Sequence, residues 1–263
     1  MIARQLHILE TLSDGQEVSV ADLAQRFGVS PMTIRRDLSQ LGQASPVHRT
    51  HGGAVLTRLG SVEFAFEHRG RAAAAQKRAI AIAIAKRIQP KMRVALDTGT
   101  TTLEVARAIS GTRDLTVLTS SLPIASTLYA HENIELVLLG GMARKGNPDL
   151  SGWLTEDNLR RFEVDVAIVG ADAANRRGVY TTDVNVARVS SAMLDSAKHS
   201  ILAIDSSKFA ASAFVRYTTW NGIGELVTDS AVPRSVRTWL DKTVQRVEYV
   251  RPQHGDARKD AHA

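Results

Sequence analysis

The turn Asp97-Thr98-Gly99-Thr100-Thr101-Thr102 has the residue types of an anion-binding site. It follows an apolar run typical of a buried strand and precedes an amphipathic run typical of a helix. A glycine there lets the backbone approach an anion, and the next helix presents unpaired N–H groups and its positive dipole end. Threonine hydroxyls add donors. The turn therefore predicts a phosphate cradle without a Walker lysine, since neither G-x-x-x-x-G-K-[ST] nor G-x-G-x-x-G occurs.

Four other predicted strand ends are also small, hydroxylated, glycine-rich or charged. They are Thr119-Ser120-Ser121, Gly140-Gly141, Gly170-Ala171-Asp172 and Asp205-Ser206-Ser207-Lys208. Open α/β sheets bind ligands beyond the carboxyl ends of their strands, so the five ends together predict a small-molecule site. Each end alone also fits an ordinary turn or helix cap. Lys208 would supply the cation that the first turn lacks. The candidate ligand-binding residues are Asp97, Thr98, Gly99, Thr100, Thr101, Thr102, Thr119, Ser120, Gly140, Gly141, Asp172 and Lys208.

A second set of residues, in the first fifth of the chain, has the pattern of a helix that enters DNA. Ser30 is a good N-cap, and Pro31 suits the first helical position. Ile34, Leu38 and Leu41 recur at i, i+4 and i+7 and form one apolar stripe. Basic and hydroxyl side chains outside that stripe can reach phosphates or base edges. The candidate DNA contacts on this helix are Ser30, Thr33, Arg35, Arg36 and Ser39.

The neighbouring segments complete a winged helix-turn-helix pattern. A short amphipathic helix is predicted at 20–27, with Ser19 as its cap, and Gly28 opens the turn to the basic helix. Residues 47–55 predict a basic hairpin around two glycines, which is the wing. Its candidate contacts with the DNA backbone or minor groove are His48, Arg49 and His51, although a surface histidine without a role is an open alternative.

The remaining chain alternates predicted strands and helices, which indicates a mainly parallel sheet covered on both faces. The predicted strands are 94–97, 115–119, 134–139, 164–169, 200–204 and 226–228. The predicted helices are 79–85, 103–109, 122–130, 155–161 and 186–198. The fold class is therefore α/β, with an N-terminal winged helix-turn-helix ahead of a C-terminal mainly parallel α/β domain.

Composition sets the remaining bounds. The chain has 263 residues, which most simply make two domains, and no cysteine, so it has no disulfide and no cysteine-based zinc site. A formal charge of +6 and a pI near 9.8 suit a polyanionic partner. No apolar run approaches membrane-spanning length, and no signal peptide opens the chain. We expect a cytoplasmic protein with no membrane partner, no cofactor and no metal.

The expected domain boundaries follow from composition. Residues 1–57 form the DNA-binding domain, and 58–75 form a linker and the start of a connecting helix, with 57–61 as the linker and helix from Arg71 onward. Residues 76–250 form the α/β domain, and 251–263 form a polar, disordered tail.

Taken together, these motifs resemble the DeoR family of bacterial transcriptional repressors over about Met1 to Thr228. The matching motifs are Val29-Ser30-x-x-Thr33-Ile34-Arg35-Arg36-Asp37-Leu38, His51-Gly52-Gly53-Ala54, Asp97-x-Gly99-Thr100-Thr101, Gly140-Gly141 and Asp205-Ser206-Ser207-Lys208. The resemblance implies a sensor domain related in fold to ribose-5-phosphate isomerase and CoA transferases. It also implies repression of a carbohydrate-catabolism operon, with release from operator DNA by a phosphorylated sugar or polyol.

Carried over motif by motif, the resemblance makes Thr33, Arg35 and Arg36 DNA contacts. It places the effector at Asp97, Gly99, Thr100 and Thr101, with Asp172 and Lys208 nearby.

Three segments depart from the family pattern. Ser45-Pro46-Val47 stands where Gly-Leu-Leu or similar is usual, so the first wing strand should start at Val47 or lie at an edge. Thr119-Ser120 replaces Thr-Asn, and Ala173-Ala174-Asn175 stands where a glycine is usual. The last two changes allow for a different effector geometry.

Three functions are compatible with these residues. The first is a ligand-released repressor, acting as a homodimer or homotetramer on double-stranded operator DNA. The second is a sugar-phosphate isomerase or transferase-like enzyme that uses Asp97, Asp172 and Lys208 for proton transfer. The third is an activator or architectural DNA-binding protein whose second domain only oligomerises. The DNA-binding head favours regulation over catalysis, so we expect no enzyme activity and name no catalytic residue.

Overall fold

The computed structural model describes residues 3–12, 17–44, 47–50, 52–56 and 58–252. The described chain divides into two compact units. The first comprises the residues up to Arg71 together with Lys145–Pro148, and the second comprises Ala72–Arg144 and the residues from Asp149 onward. The predicted tail beyond residue 252 lies outside the described residues.

The first unit is a winged helix-turn-helix. Its elements are α1 (Ala3–Leu12), β1 (Val18–Ser19), α2 (Val20–Phe27), α3 (Pro31–Ala44), β2 (Val47–Arg49), β3 (Gly53–Leu56) and α4 (Arg58–Arg71). The strands pair antiparallel in the order β1-β3-β2. The predicted wing hairpin is thereby confirmed, and its first strand starts at Val47 as expected after a proline.

The two central helices form where the sequence predicts them, for the expected physical reasons. Ser19 caps α2 by accepting the Asp22 N–H at 3.0 Å, and Gly28 ends that helix in the left-handed conformation, with φ of +62°. Ser30 accepts the Thr33 N–H at 3.2 Å at the start of α3. The apolar stripe of α3 is fully buried and packs in one core with residues of α1, α2 and the wing. This core is Ile8, Leu9, Leu12, Val20, Leu23, Ala24, Ile34, Leu38, Leu41, Val47, Ala54 and Leu56.

The predicted linker was wrong at its described positions, because residues 58–61 lie inside α4. A glycine inside a helix costs only about 1 kcal/mol relative to alanine, so Gly60 does not end a helix that has other support. The buried Phe66 side chain gives α4 such support. The next helix was expected from Arg71, but it begins at Ala74.

The second unit is built on a seven-stranded, all-parallel sheet in the order β15-β14-β12-β9-β4-β5-β6. The elements up to the middle of this unit are α5 (Ala74–Ala85), β4 (Arg93–Leu96), α6 (Thr100–Ile109), β5 (Leu115–Thr119), α7 (Leu122–Leu128), β6 (Ile134–Leu138), β7 (Met142–Ala143), β8 (Leu150–Ser151), α8 (Trp153–Leu159) and β9 (Val164–Val169). Those that follow are β10 (Ala173–Asn175), β11 (Gly178–Thr181), α9 (Val184–Asp195), β12 (Ala197–Ala203), β13 (Val215–Thr218), β14 (Glu225–Asp229), α10 (Arg234–Thr243) and β15 (Arg246–Val250).

The central strands β4, β5 and β9 are buried along almost their whole length. Burial of successive residues, which point to opposite faces, means that both faces of the sheet are covered. The predicted α/β class is therefore confirmed.

Short and late elements were missed by the sequence analysis. These are the β7–β8 hairpin, the small antiparallel sheet β10-β11-β13, and the terminal pair α10 and β15. Strands of two to four residues carry too few positions for a period to show.

Candidate functional site

Helix α3 presents a basic, polar face opposite its buried stripe. Arg35, Arg36 and Ser39 are exposed, and Met32 in the first turn is 69% exposed. The Thr33 and Ser30 hydroxyls lie 2.9 Å apart, so both candidate residues also organise the start of the helix. This face presents side chains that can bond phosphates and base edges in a major groove.

Asp37 fixes the position of α3 against α1. Its buried carboxylate accepts hydrogen bonds from Arg4 Nε at 2.7 Å and Gln5 Nε2 at 3.4 Å. Gln5 Nε2 also donates to Gln40 Oε1 at 2.7 Å. The hydrogen bond to Asp37 is the main reason that the pKa of Arg4 is raised. Asp37 belongs to the motif quoted above, but the sequence did not reveal its positioning role.

The wing turn depends on Thr50 and Gly53. The Gly53 N–H donates to Thr50 Oγ1 at 2.9 Å, and the Thr50 N–H donates to the Gly53 carbonyl at 3.0 Å. A Cβ at Gly53 would lie 2.2 Å from the carbonyl oxygen of Val18, so only glycine fits beside β1. His48 and Arg49 lie in β2, with their side chains outside the described structure, and His51 lies outside the described residues.

In the second unit, the first polar turn leads directly into the uncapped start of α6. This helix begins at Thr100, three residues earlier than predicted, and Gly99 precedes it with φ of +147°. No side chain caps α6. The N–H groups of Thr100, Thr101 and Thr102 have no intrahelical acceptor, because the first acceptor, the Gly99 carbonyl, takes the Leu103 N–H. This end of α6 is suited to an anion.

Several threonine hydroxyls at this edge bond the protein itself, and the prediction that threonines add donors for an anion stays a prediction. Thr102 Oγ1 donates to the Gly99 carbonyl at 3.0 Å, and Thr98 Oγ1 donates to Asp149 Oδ2 at 2.8 Å. Thr119 Oγ1 is fully buried and donates to the Leu96 carbonyl at 2.8 Å. Thr101 is buried, and the partly exposed Thr100 is the best-placed hydroxyl.

Asp97, the first residue of the turn, has a buried carboxylate that accepts three hydrogen bonds. Its carboxylate accepts the Thr98 N–H at 2.8 Å, the Ser190 hydroxyl at 3.0 Å and the Gly170 N–H at 3.4 Å. Burial raises the pKa of Asp97 to about 7, against the opposing effect of these three donors, and the charge of Asp149 raises it further. Asp97 therefore joins two of the predicted strand ends, and it keeps its proton to a higher pH than an ordinary aspartate does.

Arg144 and Asp149 form a buried ion pair that the sequence analysis missed. Arg144 Nε and Nη2 donate to the two Asp149 oxygens at 2.8 and 2.6 Å. Arg144 Nη1 lies 3.9 Å from Asp183 Oδ2. Burial alone would lower the pKa of Arg144, but the hydrogen bonds and charges of these aspartates raise it. A basic residue shortly after Gly140-Gly141 was a usable signal, whereas nothing local marked Asp149.

Asp172 organises the fourth strand end and lies near Lys208. Its Oδ2 accepts the Thr182 N–H at 2.9 Å and the hydroxyls of Thr181 at 2.9 Å and Thr182 at 3.0 Å. Burial opposes ionisation, but these donors and the Lys208 charge together lower the pKa of Asp172. The predicted partnership of a carboxylate and a lysine from different strand ends is consistent with this arrangement.

Side chains of Tyr217 and Thr155 form hydrogen bonds with glycine carbonyls at the same edge of the sheet. Tyr217 Oη donates to the Gly170 carbonyl at 2.6 Å, and burial raises the Tyr217 pKa well above its usual value. Thr155 Oγ1 donates to the Gly140 carbonyl at 2.8 Å. A Cβ on Gly141 would lie 2.0 Å from that hydroxyl.

Ser120 is buried, and its carbonyl accepts the Leu150 N–H at 2.9 Å. Gly140, Gly141 and Ser120 therefore shape the edge through their backbone. Among the described residues, no group of three or more His, Asp or Glu side chains is arranged to hold a metal ion. No described helix is long and apolar enough to cross a bilayer.

These two regions define a class: a DNA-binding regulator that carries a separate α/β domain with an anion-suited sheet edge. The DeoR-like helix-turn-helix domain matches residues 4–58, and the DeoR C terminal sensor domain matches residues 72–230. The chain belongs to the DeoR family.

Curated relatives agree with this assignment. A putative aga operon transcriptional repressor of Escherichia coli O157:H7 is 34% identical over 233 residues, covering 88% of this chain and 87% of the relative. The glycerol-3-phosphate regulon repressor of Escherichia coli K12 is 31% identical over 230 residues, covering 87% and 91%. The chain is therefore a transcriptional repressor with a DNA-binding domain and not an enzyme, and the isomerase or transferase alternative is not favoured.

Solved structures similar to this chain include ribose 5-phosphate isomerase A of Methanocaldococcus jannaschii. It is 18% identical, with a TM-score of 0.37, and the match covers 51% of this chain and 53% of that chain. The strand order and the family match establish the fold class without it.

Proposed function

We propose that this repressor controls a carbohydrate-catabolism operon and leaves its operator when a phosphorylated sugar or polyol binds at the carboxyl edge of the β-sheet. The observation that carries the proposal is the uncapped N-terminus of α6, where three N–H groups lack intrahelical acceptors. The ligand-binding residues are those named from the sequence, with Arg144 added. We keep residues 1–57 as the proposed DNA-binding domain and 76–250 as the proposed effector-binding domain, with 58–75 as a connection that contains α4 and the start of α5.

We infer that the electrostatics of the edge favour an anion even though Asp97, Asp149 and Asp172 lie there and Asp183 lies 3.9 Å from Arg144. The pKa of Asp97 is raised by burial to about 7, Asp149 is paired with Arg144, and Asp172 lies near Lys208. Each negative charge is therefore reduced or compensated before a ligand arrives. A phosphate at the α6 terminus then meets N–H dipoles and the Thr100 hydroxyl, and Arg144 and Lys208 contribute positive charge only as far as their own aspartates leave it uncompensated.

The repression mechanism requires two copies of the head. In a homodimer or homotetramer, paired recognition helices enter successive major grooves about 34 Å apart. DNA contacts come from Ser30, Thr33, Arg35, Arg36 and Ser39, and from the wing residues His48, Arg49 and His51. The effector must bind better to a state in which the heads are misplaced, since only different affinities for two states shift their balance. A repressor of chromosomal DNA acts in the cytoplasm.

A thermal-shift screen of pentose, hexose and polyol phosphates tests the ligand class. Glycerol 3-phosphate is included because one relative is named a glycerol-3-phosphate regulon repressor. A ligand present at about 100 times its Kd stabilises the folded state by about 2.7 kcal/mol. If no phosphorylated compound raises the melting temperature, the sensor proposal fails and the oligomerising-domain alternative stands.

A double variant then tests the site. Thr100→Ala with Lys208→Ala should bind a selected DNA duplex normally but no longer release it on addition of the stabilising phosphate compound. Thr112→Ala with Lys86→Ala, away from the strand ends, is the matched control and should respond as the wild type does. Normal release by the Thr100/Lys208 variant contradicts the site assignment.

A further inference from the structure

The junction between α4 and α5 breaks a sequence that favours an uninterrupted helix. Residues 71–78 read Arg-Ala-Ala-Ala-Ala-Gln-Lys-Arg, all good helix formers, with neither glycine nor proline. Nevertheless α4 ends at Arg71 and α5 begins at Ala74. Ala73 between them has φ of +53° and ψ of +34°, the left-handed conformation that residues with a Cβ rarely adopt.

Local chemistry does not favour this break. Helices that end in a left-handed residue usually have glycine there, whereas Ala73 carries a Cβ. Ala73 is also the N-cap of α5, where serine, threonine, aspartate or asparagine is preferred, and no side chain caps this helix. Helix propensity thus favours continuity at a position where the chain is interrupted.

Lys77 provides the compensating interaction. This lysine is only 4% exposed, and its Nζ donates to the Ala72 carbonyl at 2.7 Å. In a continuous helix that carbonyl would accept the N–H of Gln76, four residues on. The Lys77 ammonium therefore replaces the backbone donor that the break removes. Exchanging one bond for the other, with Ala73 moving from left-handed to right-handed backbone, is a small local change.

We propose that the α4–α5 junction is a two-state element, with an interrupted state stabilised by Lys77 and a continuous state in which Ala73 is helical. The junction coincides with the boundary of the two compact units, which falls between Arg71 and Ala72. A ligand that favours either state shifts the balance between them, and a change at Ala73 redirects the chain that leads into the DNA-binding unit.

The absence of cysteine makes the junction accessible to site-directed spin labels. Nitroxides are attached to Glu67→Cys in α4 and Ile82→Cys in α5 of the full chain, both at exposed positions. In the continuous state, fifteen helical residues place these Cα atoms about 22 Å apart, a distance suited to pulsed dipolar spectroscopy. The labelled chain is diluted into an excess of unlabelled chain, so that distances between copies of the proposed oligomer do not contribute. We then expect two distance components in the wild-type background, one of them at this separation.

Three substitutions on this background should move the two components in known directions. Ala73→Gly removes the left-handed penalty and should enrich the interrupted component about fivefold or more. Ala73→Ile, which is β-branched, and Lys77→Met, which removes the ammonium, should both enrich the 22 Å component. Lys91→Gly is the matched control, because Lys91 also has positive φ (+68°) but lies in the turn before β4.

A single component that none of the three substitutions changes overturns the proposal, as does an equal change in the Lys91 control. DNA affinity gives a second measurement, made with a duplex selected from a random pool against the wild-type protein. Ala73→Gly and Ala73→Ile should shift affinity in opposite directions, because they favour opposite states. Equal losses in both variants indicate damage to the junction and contradict a regulatory role for it.

Discussion

The recognition helix and the carboxyl edge of the sheet use their polar side chains in opposite ways. On α3, Arg35 and Arg36 are exposed, and the scaffold is made by other residues, chiefly the apolar stripe and Asp37. At the sheet edge, Asp97 is buried and accepts a hydrogen bond from Ser190 of α9, and Thr102 is buried and donates to the Gly99 carbonyl of its own turn. In the DNA-binding unit, the residues proposed to contact DNA differ from the residues that stabilise the fold. In the second unit, the polar residues proposed to bind a ligand also stabilise the sheet edge. Substitutions on the exposed face of α3 should therefore change DNA affinity, whereas substitutions at the sheet edge should change the stability of the fold.

The largest effect is expected on DNA affinity. Replacing Arg35 and Arg36 together with alanine should weaken binding to a selected duplex about 100-fold or more, since we propose that each side chain contacts a phosphate or a base edge. Fluorescence anisotropy over a salt series measures both the affinity and its salt slope, and the slope should fall.

The melting temperature of this double variant should be unchanged, because both side chains are exposed. Arg161→Ala, two residues beyond the end of α8, is the matched loss of an exposed arginine, and this variant should bind DNA normally. A large loss of stability in the double variant would contradict the claim that the exposed arginines of α3 do not stabilise the fold.

A pH-dependent loss of stability is expected from Asp97. Its folded-state pKa is about 7, whereas an unfolded aspartate titrates near 3.9. Between about pH 4 and pH 7, the folded state keeps a proton that the unfolded state has lost, so this group destabilises the protein increasingly as the pH rises. Below that window the penalty is absent, and above it the penalty is constant, on the order of a few kcal/mol.

Urea unfolding from pH 4 to pH 8 checks this sign. All three tryptophans lie in the second unit, so their fluorescence follows the unit that contains Asp97. Relative to Asp97→Asn, the wild type should lose stability as the pH rises through the window. A constant difference between the two proteins across these pH values would contradict the assignment. Asp157→Asn, a surface change, serves as the control.

Gly141→Ala should destabilise the sensor by about 3 kcal/mol. The added Cβ would lie 2.0 Å from Thr155 Oγ1 and 2.9 Å from the Ser151 carbonyl oxygen, at a residue with φ of +125°. Tryptophan-detected urea unfolding measures the loss. Gly111→Ala, where nothing lies within 4 Å of the added atom, should change stability little. Similar losses in both variants would show that the crowding at Gly141 is relieved at little cost.

The smallest effect is expected at the start of α3. Ser30→Ala removes the acceptor of the Thr33 N–H and should destabilise that end of the helix by about 1 kcal/mol. Amide hydrogen exchange of the α3 peptide should become about fivefold faster, and Ser30→Asp, which keeps an acceptor, should restore protection. Unchanged exchange in Ser30→Ala would show that the cap contributes little here.

The sequence predicted features that depend on residues close together in the chain. Capping by Ser19 and Ser30, the buried stripe of α3 and the central strands all follow from spacings of one to seven residues. Hydrogen-bond partners that are far apart in the sequence could not be predicted from it. Thr98 and Asp149 are 51 positions apart, and Ser190 and Asp97 are 93 apart. The residue sequence of a single turn therefore could not reveal which groups accept the hydrogen bonds of the Thr98 and Ser190 hydroxyls.

The wrong predictions of the linker at α4 and of the helix start at Arg71 had a different cause. Gly60 and Ser61 suggested a linker, although the helix continues through them, and the alanines that suggested continuity contain the break. Local propensity was misleading on both sides of the unit boundary, where the side chains of Phe66 and Lys77 are buried and propensity is only a weak guide.

The raised pKa of the buried Asp97 carboxyl group also has a calorimetric consequence. A negative ligand arriving above it favours its acid form, so association should withdraw protons from the surrounding buffer. The heat released would then depend on the ionisation enthalpy of the buffer chosen, and titrations in phosphate-free buffers of contrasting enthalpy would count the protons taken up for each metabolite bound.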